Sequence, residues 1–294
     1  MAHKTLIGGT AYEISGGRTL INGTAYSIAG GKTLVGGTAY GISFGPPALA
    51  NCTPAQIQQV AQSGQAPNYW AVGDKVSITL NGTVGALSLS GTYYAFIIGF
   101  NHNSSIEGNN TIHFQFGKTD SGVDIAFVDG NYNSSDSSAG FRMSTDKYNT
   151  GGWASSYMRS TICPAFLAAM PSAWQSVIKA CTKYSDNTGG GSDTASYVTS
   201  TVDKIWLLAE FEVFGTRSNA NSAEQNFQKW YDYYKTVEDP RKKKFDKTSS
   251  GAQYWLRSVS ASSGKSFIDV SAFGFSEGTY ANYSFGFAPC FMVA

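Results

Sequence analysis

The chain has 294 residues and a net charge of +1, with 14% of residues charged and 14% aromatic. That balance excludes a global basic field for nucleic acid or a membrane surface, and it excludes a coiled coil or a disordered chain. With 33 glycines and no run near the roughly twenty apolar residues of a bilayer span, a loop-rich β or α+β protein is expected, with no membrane span. The first residues lack an apolar signal-peptide core, so signal-directed secretion is not expected. Cys52, Cys163, Cys181 and Cys290 are scattered without C-x-x-C spacing, which favours buried free thiols over a zinc site or a disulfide framework.

A repeat comes first. Lys4–Ile14, Arg18–Ile28 and Lys32–Ile42 share one pattern at a period of 14 residues. Each copy reads as strand, Gly-Gly or Asn-Gly turn, strand, and Asn22-Gly23 is a strong hairpin signal. One copy is too small to bury anything, so the copies are expected to stack, on each other or on another chain. Residues 1–45 therefore read as an attachment or oligomerisation module. Phe44-Gly45-Pro46-Pro47 breaks the pattern as a linker.

Thr53 as N-cap, Pro54 at the first helical position, Gln56 as capping-box partner and Gly64 as stop predict a helix with Ile57 and Val60 facing inward. Antiparallel β-structure is expected from Lys75 to Val128, in strands near Val76–Leu80, Thr92–Phe100, Ile112–Phe116 and Val123–Val128. Gly151 to Arg159 opens a helical stretch reaching Met170. Pro171 interrupts it, and Ser172 with Gln175 caps a second helix whose Trp174, Val177, Ile178 and Cys181 share a face.

The Gly-rich run Thr188–Asp193 lacks the Gly-Lys-Ser/Thr ending of a phosphate loop and reads as a flexible connection. Ile205–Phe214 reads as a buried strand that becomes alternating. Glu210 and Glu212 then share a face; paired carboxylates can do acid–base work, but on an alternating strand a solvated polar face is expected. Ser222–Glu238 reads as an amphipathic helix with Phe227, Trp230 and Tyr234 on its apolar stripe. The basic run Arg241–Lys244 could meet phosphate or an acidic partner, and a solvated loop is the simpler reading.

The last forty residues differ from the rest. Tyr254-Trp255-Leu256-Arg257-Ser258 opens them and Gly286-Phe287-Ala288-Pro289-Cys290-Phe291 closes them. Between these apolar flanks, aromatics are spaced among Ser, Ala, Gly and Asn with little charge, a mixture like that of a paratope. The Trp-Leu-Arg-Ser opening, this interior and the Gly-Phe-Ala-Pro close resemble the variable region of proteins diversified by retroelements in phages and gut bacteria. The Gly-Gly-Trp…Met-Arg opening at Gly151 and the helices after it resemble the same family, so the resemblance covers residues from about 50 onward.

The resemblance implies a C-type-lectin fold for residues 46–294, within an overall α+β chain, and a variable region at about 258–286 that displays exchangeable side chains. Such regions take residues reached by replacing adenines in Asn-type codons. Lys265 and Glu277 fall outside that set and are expected to be fixed. The implied ligand-binding residues are Val259, Ser260, Ala261, Ser262, Phe267, Asp269, Ser271, Phe273, Phe275, Tyr280, Asn282, Tyr283 and Phe285. Phe273, Tyr280, Tyr283 and Phe285 would be the main anchors, with Trp255 and Phe291 stiffening the segment from beneath. Arg257, held between Leu256 and Ser258, is assigned to structure, paired with a buried acid or carbonyl.

The partner implied is a variable protein or glycan target on a host cell surface, and the location a virion, such as a phage tail, or a bacterial cell surface. The 14-residue repeats also resemble short repeats of phage tail and other virion proteins, which would make residues 1–45 a link to a virion partner or to further copies of the chain.

Catalytic signatures are missing. His3, His102 and His113 have no sequence neighbour at metal spacing, and neither a Gly-x-Ser-x-Gly elbow nor His-Glu-x-x-His occurs. The calcium-binding triplets of animal lectins are also absent, so no metal or cofactor is expected at the binding site. Two alternatives stay open: a structural virion or surface protein that uses the aromatic face for subunit contacts, and an enzyme of the formylglycine-generating type. The second shares the general fold but uses a catalytic cysteine pair, whose spacing Cys163, Cys181 and Cys290 do not reproduce.

Overall fold

In the computed structural model the described residues are 46–135, 140–236, 241–245 and 250–294, together with the backbone of six short strands before them. Two units divide the chain, Met1–Ala48 and Leu49–Ala294. In the first, each 14-residue copy forms its own antiparallel hairpin: His3–Ile7 with Thr10–Ile14, Gly17–Ile21 with Thr24–Ile28, and Gly30–Val35 with Thr38–Ser43. One register recurs in all three, with Thr5 opposite Tyr12, Thr19 opposite Tyr26 and Thr33 opposite Tyr40. The turn residues and the expected stacking of the copies lie outside the described residues.

The larger unit is α+β. Its main sheet has five antiparallel strands in the order Ile178–Lys179, Cys290–Val293, Ile112–Lys118, Leu87–Phe100, Lys75–Val84. The chain's last strand thus lies inside the sheet, where Phe291 sits opposite Phe114 and stacks on it at 5.1 Å. Phe116, Phe127, Phe166, Trp174 and Phe287 continue this aromatic core. Helix α1, Pro54–Gln62, starts at Thr53 with the expected capping box, and Gly64 follows its end at a positive φ of 72°. Ile57 is fully buried, and Gln58 and Gln62 donate to the carbonyl of Ala294.

Several expectations are corrected. Of Val123–Val128 only Ile125–Ala126 is a strand, and it pairs in parallel with Lys243–Phe245 in a small separate sheet. Lys243 is consequently buried, not solvated, with its Nζ 3.2 Å from Gln115 Oε1. The helical stretch after Gly151 comes in three pieces: Gly152–Ser155, a π-turn Met158–Ile162, and Cys163–Ala168. Pro164 would clash with a carbonyl four residues back in a regular helix, and widening the preceding turn relieves this. Ser172–Val177 is helical with Pro171 as its cap residue, while Ile178 and Cys181 belong to strands.

Ile205–Phe214 is not one strand. Trp206 makes a bridge to Cys290, and Glu210–Phe214 is a helical turn. Glu212 caps that turn by accepting from the Ala209 N–H at 3.0 Å. Ser222–Glu238 breaks into a 3-10 turn Ser222–Asn226, capped by Asn221, and a helix Asp232–Thr236. Glu224 and Gln228 point inward to bind polar groups, which no apolar stripe could accommodate. Among the described residues no helix is long and apolar enough to cross a membrane.

Candidate binding face

The segment after Gln253 builds a second sheet rather than an edge of the first. Tyr254–Val259, Ser266–Val270 and Ser276–Tyr280 pair antiparallel in that order, so much of the expected display loop is strand. It joins the main sheet region through bridges of Tyr254 to Gly286, Phe287 to Phe127 and Cys290 to Trp206. The middle strand, Ser266–Val270, is buried at every residue because both of its faces are covered. The outer strand Ser276–Tyr280 is largely exposed.

This layering divides the proposed contact residues. Val259, Ser260, Phe267, Asp269, Ser271 and Phe285 are buried and cannot touch a partner as placed, a correction to the sequence reading, whereas Asn282, 5% exposed, still reaches the wall of an open cavity at this face. Phe285 packs on Trp255 with ring centroids 4.9 Å apart. Phe273, Phe275 and Tyr280 are 73%, 65% and 48% exposed, Ser262 is also exposed, and Ala261 and Tyr283 are half-buried.

Local structure explains the exposed aromatics. Phe273 and Phe275 sit on a tight turn in which Gly274 donates to the Ser271 carbonyl, Ser271 N–H donates to the Phe275 carbonyl, and Phe275 N–H donates to Ser271 Oγ. Gly274 holds a φ of +87° there, which a larger residue would resist. Tyr280 stands at the end of the outer strand, facing Tyr148 of the loop after Ser144. Lys265 Nζ is within reach of both, 5.9 Å from the Tyr280 ring and 6.0 Å from that of Tyr148. Ser135, Asp146, Tyr148, Tyr280, Asn282 and Tyr283 are among the residues that line an open cavity of about 460 Å³ beside this clamp.

Tyr148 was missed by sequence reasoning. The available signal is an aromatic residue in a polar turn, where Asp146 Oδ1 accepts from the Tyr148 N–H. The Gly-rich loop is likewise not a loose connection. Gly190 N–H donates to Asn149 Oδ1, Asn149 Nδ2 donates to the carbonyls of Ser263 and Ser266, and a Cβ on Gly191 would lie 2.6 Å from the Gly264 nitrogen. This loop therefore fixes the turn that carries Lys265.

Behind this sheet lies a buried ionic frame. Arg257 is fully buried and grips Glu212 with both terminal nitrogens, at 2.5 and 2.9 Å, while also donating to the Leu207 carbonyl and Ser185 Oγ. The expected structural role for Arg257 holds, and Glu212 is its acid. Glu210 is buried too: it accepts from the N–H groups of Asn219 and Ala220 and from Ser276 Oγ of the outer strand. The solvated acidic face expected for this pair is absent because each carboxylate satisfies buried donors.

Electrostatics follow from burial. Burial alone would raise Glu212, but Arg257 and Lys183 hold it down to about 2. Burial pushes Glu224 up to about 7 despite the hydroxyl of Ser258. Asp269 is also raised by burial to about 7, with hydrogen bonds from Gln253 and Thr279 pulling the other way.

Residues 133–294 match a family described as a domain of unknown function, DUF6273. The chain belongs to the DUF6273 family. No curated protein and no solved structure matches it. The matched residues include the whole second sheet, Tyr148, the Gly-rich loop and the Arg257–Glu212 pair, so the DUF6273 region carries both the candidate face and its frame.

Proposed function

We propose that this DUF6273 protein is a non-catalytic binding protein that presents a diversified contact surface on a C-type-lectin-like scaffold. The observation that carries the reading is the contrast within one short segment. Phe273, Phe275 and Tyr280 stand in solvent on a turn and an edge strand, while Phe267, Phe285 and Arg257 of the same segment are locked in the core. Large exposed aromatics on a rigid support give contact area at little entropic cost, and small neighbours adapt to different partners. The contact set is Ser262, Phe273, Phe275, Tyr280 and Tyr283, with Tyr148 and Lys265 as a fixed clamp at one end.

The target is a protein or glycan on a host cell surface, and the hairpin repeats link the chain to a virion, such as a phage tail, or to a cell surface. A non-catalytic role is supported by the four cysteines, which are all buried outside any disulfide, with burial raising every thiol away from its reactive form. A cysteine-based enzyme needs an accessible thiolate.

Sequencing this locus across related isolates tests the reading. Substitutions are expected to concentrate at Ser262, Phe273, Phe275, Tyr280 and Tyr283 and to spare Phe267, Phe285, Lys265 and Tyr148. Variation spread evenly over the segment, or none at all at the exposed positions, would sink it.

A further inference from the structure

Three buried side chains on separate elements converge in the core of the larger unit. Glu107 closes the helical turn Ser104–Glu107, His113 lies on the strand Ile112–Lys118, and Cys181 opens the strand Cys181–Asp186. One ligand atom from each lies within 4.8 Å of the other two. Glu107 Oε2 and His113 Nε2 are 3.8 Å apart, both buried, and among the described residues neither has a hydrogen-bond partner. The thiol of Cys181 makes a weak 3.9 Å contact to the carbonyl of Thr182.

The opposite ends of the same groups are firmly held. His113 Nδ1 pairs with Tyr231 Oη at 2.9 Å, and Glu107 Oε1 accepts from Lys183 Nζ at 2.6 Å. Outward atoms engaged and inward atoms unpartnered is the arrangement of ligands oriented by their surroundings toward an ion. A fourth donor stands close. His102, which stacks on Tyr231 at 3.5 Å, has an unpartnered Nε2, and a ligand atom of its ring lies within 4.8 Å of Glu107 and Glu212.

We propose that Glu107, His113 and Cys181 form a buried site for a divalent transition-metal ion of the zinc class. The donor set of one imidazole nitrogen, one thiolate sulfur and one carboxylate oxygen suits zinc and disfavours calcium or magnesium, which take oxygen ligands. Binding forms a metal–sulfur bond and releases the Cys181 proton to solvent. Lys183 Nζ lies 2.6 Å from Glu107 and 3.6 Å from Glu212, and Arg257 grips Glu212, so a Cys181 thiolate would leave this buried cluster short of positive charge. A dication reverses this, and together with Lys183 and Arg257 it balances Glu107, Glu212, Glu224 and the Cys181 thiolate. The ion ties the main sheet to the hairpin that carries Lys183, next to the frame under the second sheet. Sequence spacing could not reveal it, because Cys181 is remote in the chain from Glu107 and His113.

The test is zinc content of the full chain after refolding from denaturant with excess zinc ion and removal of the unbound metal. Wild type is expected to retain about one ion per chain, and His113→Gln and Cys181→Ser less than roughly a tenth of one. Cys52→Ser, at a buried cysteine outside the cluster, should retain the ion. Refolding with cobalt(II) gives a second reading, a thiolate-to-cobalt charge-transfer band that requires no variant to fold. Folded wild type with neither bound zinc nor that cobalt band would mean that these atoms surround only water, and would overturn the proposal.

Discussion

Truncating two phenylalanines twelve positions apart should give opposite results. Phe285 is 3% exposed and packs on Trp255, Tyr283 and Tyr132, with ring centroids 4.9, 5.8 and 6.1 Å away. Phe285→Ala removes a filled core position, which costs about 3–5 kcal/mol. Phe273 is 73% exposed, so Phe273→Ala should stay within about 0.5 kcal/mol of wild type. In a unit of this size each kcal/mol moves the melting temperature by about 2–4 °C, which predicts a drop of roughly 6–20 °C for the first and under about 2 °C for the second. Tryptophan fluorescence is a suitable probe, because all six tryptophans lie in Leu49–Ala294. The division into frame and face fails if Phe285→Ala melts within about 2 °C of wild type, or if Phe273→Ala falls by more than about 6 °C.

The Arg257–Glu212 pair gives a second test. Arg257→Met and Glu212→Gln should each cost about 3–5 kcal/mol by stranding a buried group, and the double variant should cost clearly less than the sum; strict additivity in urea unfolding would show that the two do not act together. The third concerns pH. Asp269 is raised from its ordinary 3.8 to about 7 by burial, so its contribution to stability is present below about pH 4 and is lost as pH rises toward 7. The loss is up to about 4 kcal/mol, at 1.36 kcal/mol per pH unit over the shift. Glu224 acts in the same direction, whereas Glu212, lowered to about 2, loses its contribution as pH falls below 4.5. Stability should therefore peak on the acid side of neutrality, and Asp269→Asn should flatten the decline between pH 4.5 and 7.5; identical urea midpoint shifts in variant and wild type would contradict this.

What was legible in sequence was local. Thr53, Pro54 and Gln56 form a capping box within four residues, so the start of α1 could be read directly. Each 14-residue copy specifies its own hairpin through a short turn between β-formers. Alternation marked Lys75–Val84, where only one face is covered. The Ile205–Phe214 reading failed because apolar runs look alike whether they form a strand or a covered turn, and the deciding contact, Glu212 with Arg257, spans 45 residues.

The sequence by itself determined the α+β class, the repeat module, the first helix and the existence of an aromatic-rich terminal segment, because each is written in spacings of a few residues. Only the tertiary structure decided which of those aromatics face solvent. The strand Ser266–Val270 is covered on both sides, so its side chains keep no alternating signature. The partners that bury Phe285 and expose Phe273, like those that gather Glu107, His113 and Cys181, come from parts of the chain that only folding brings together.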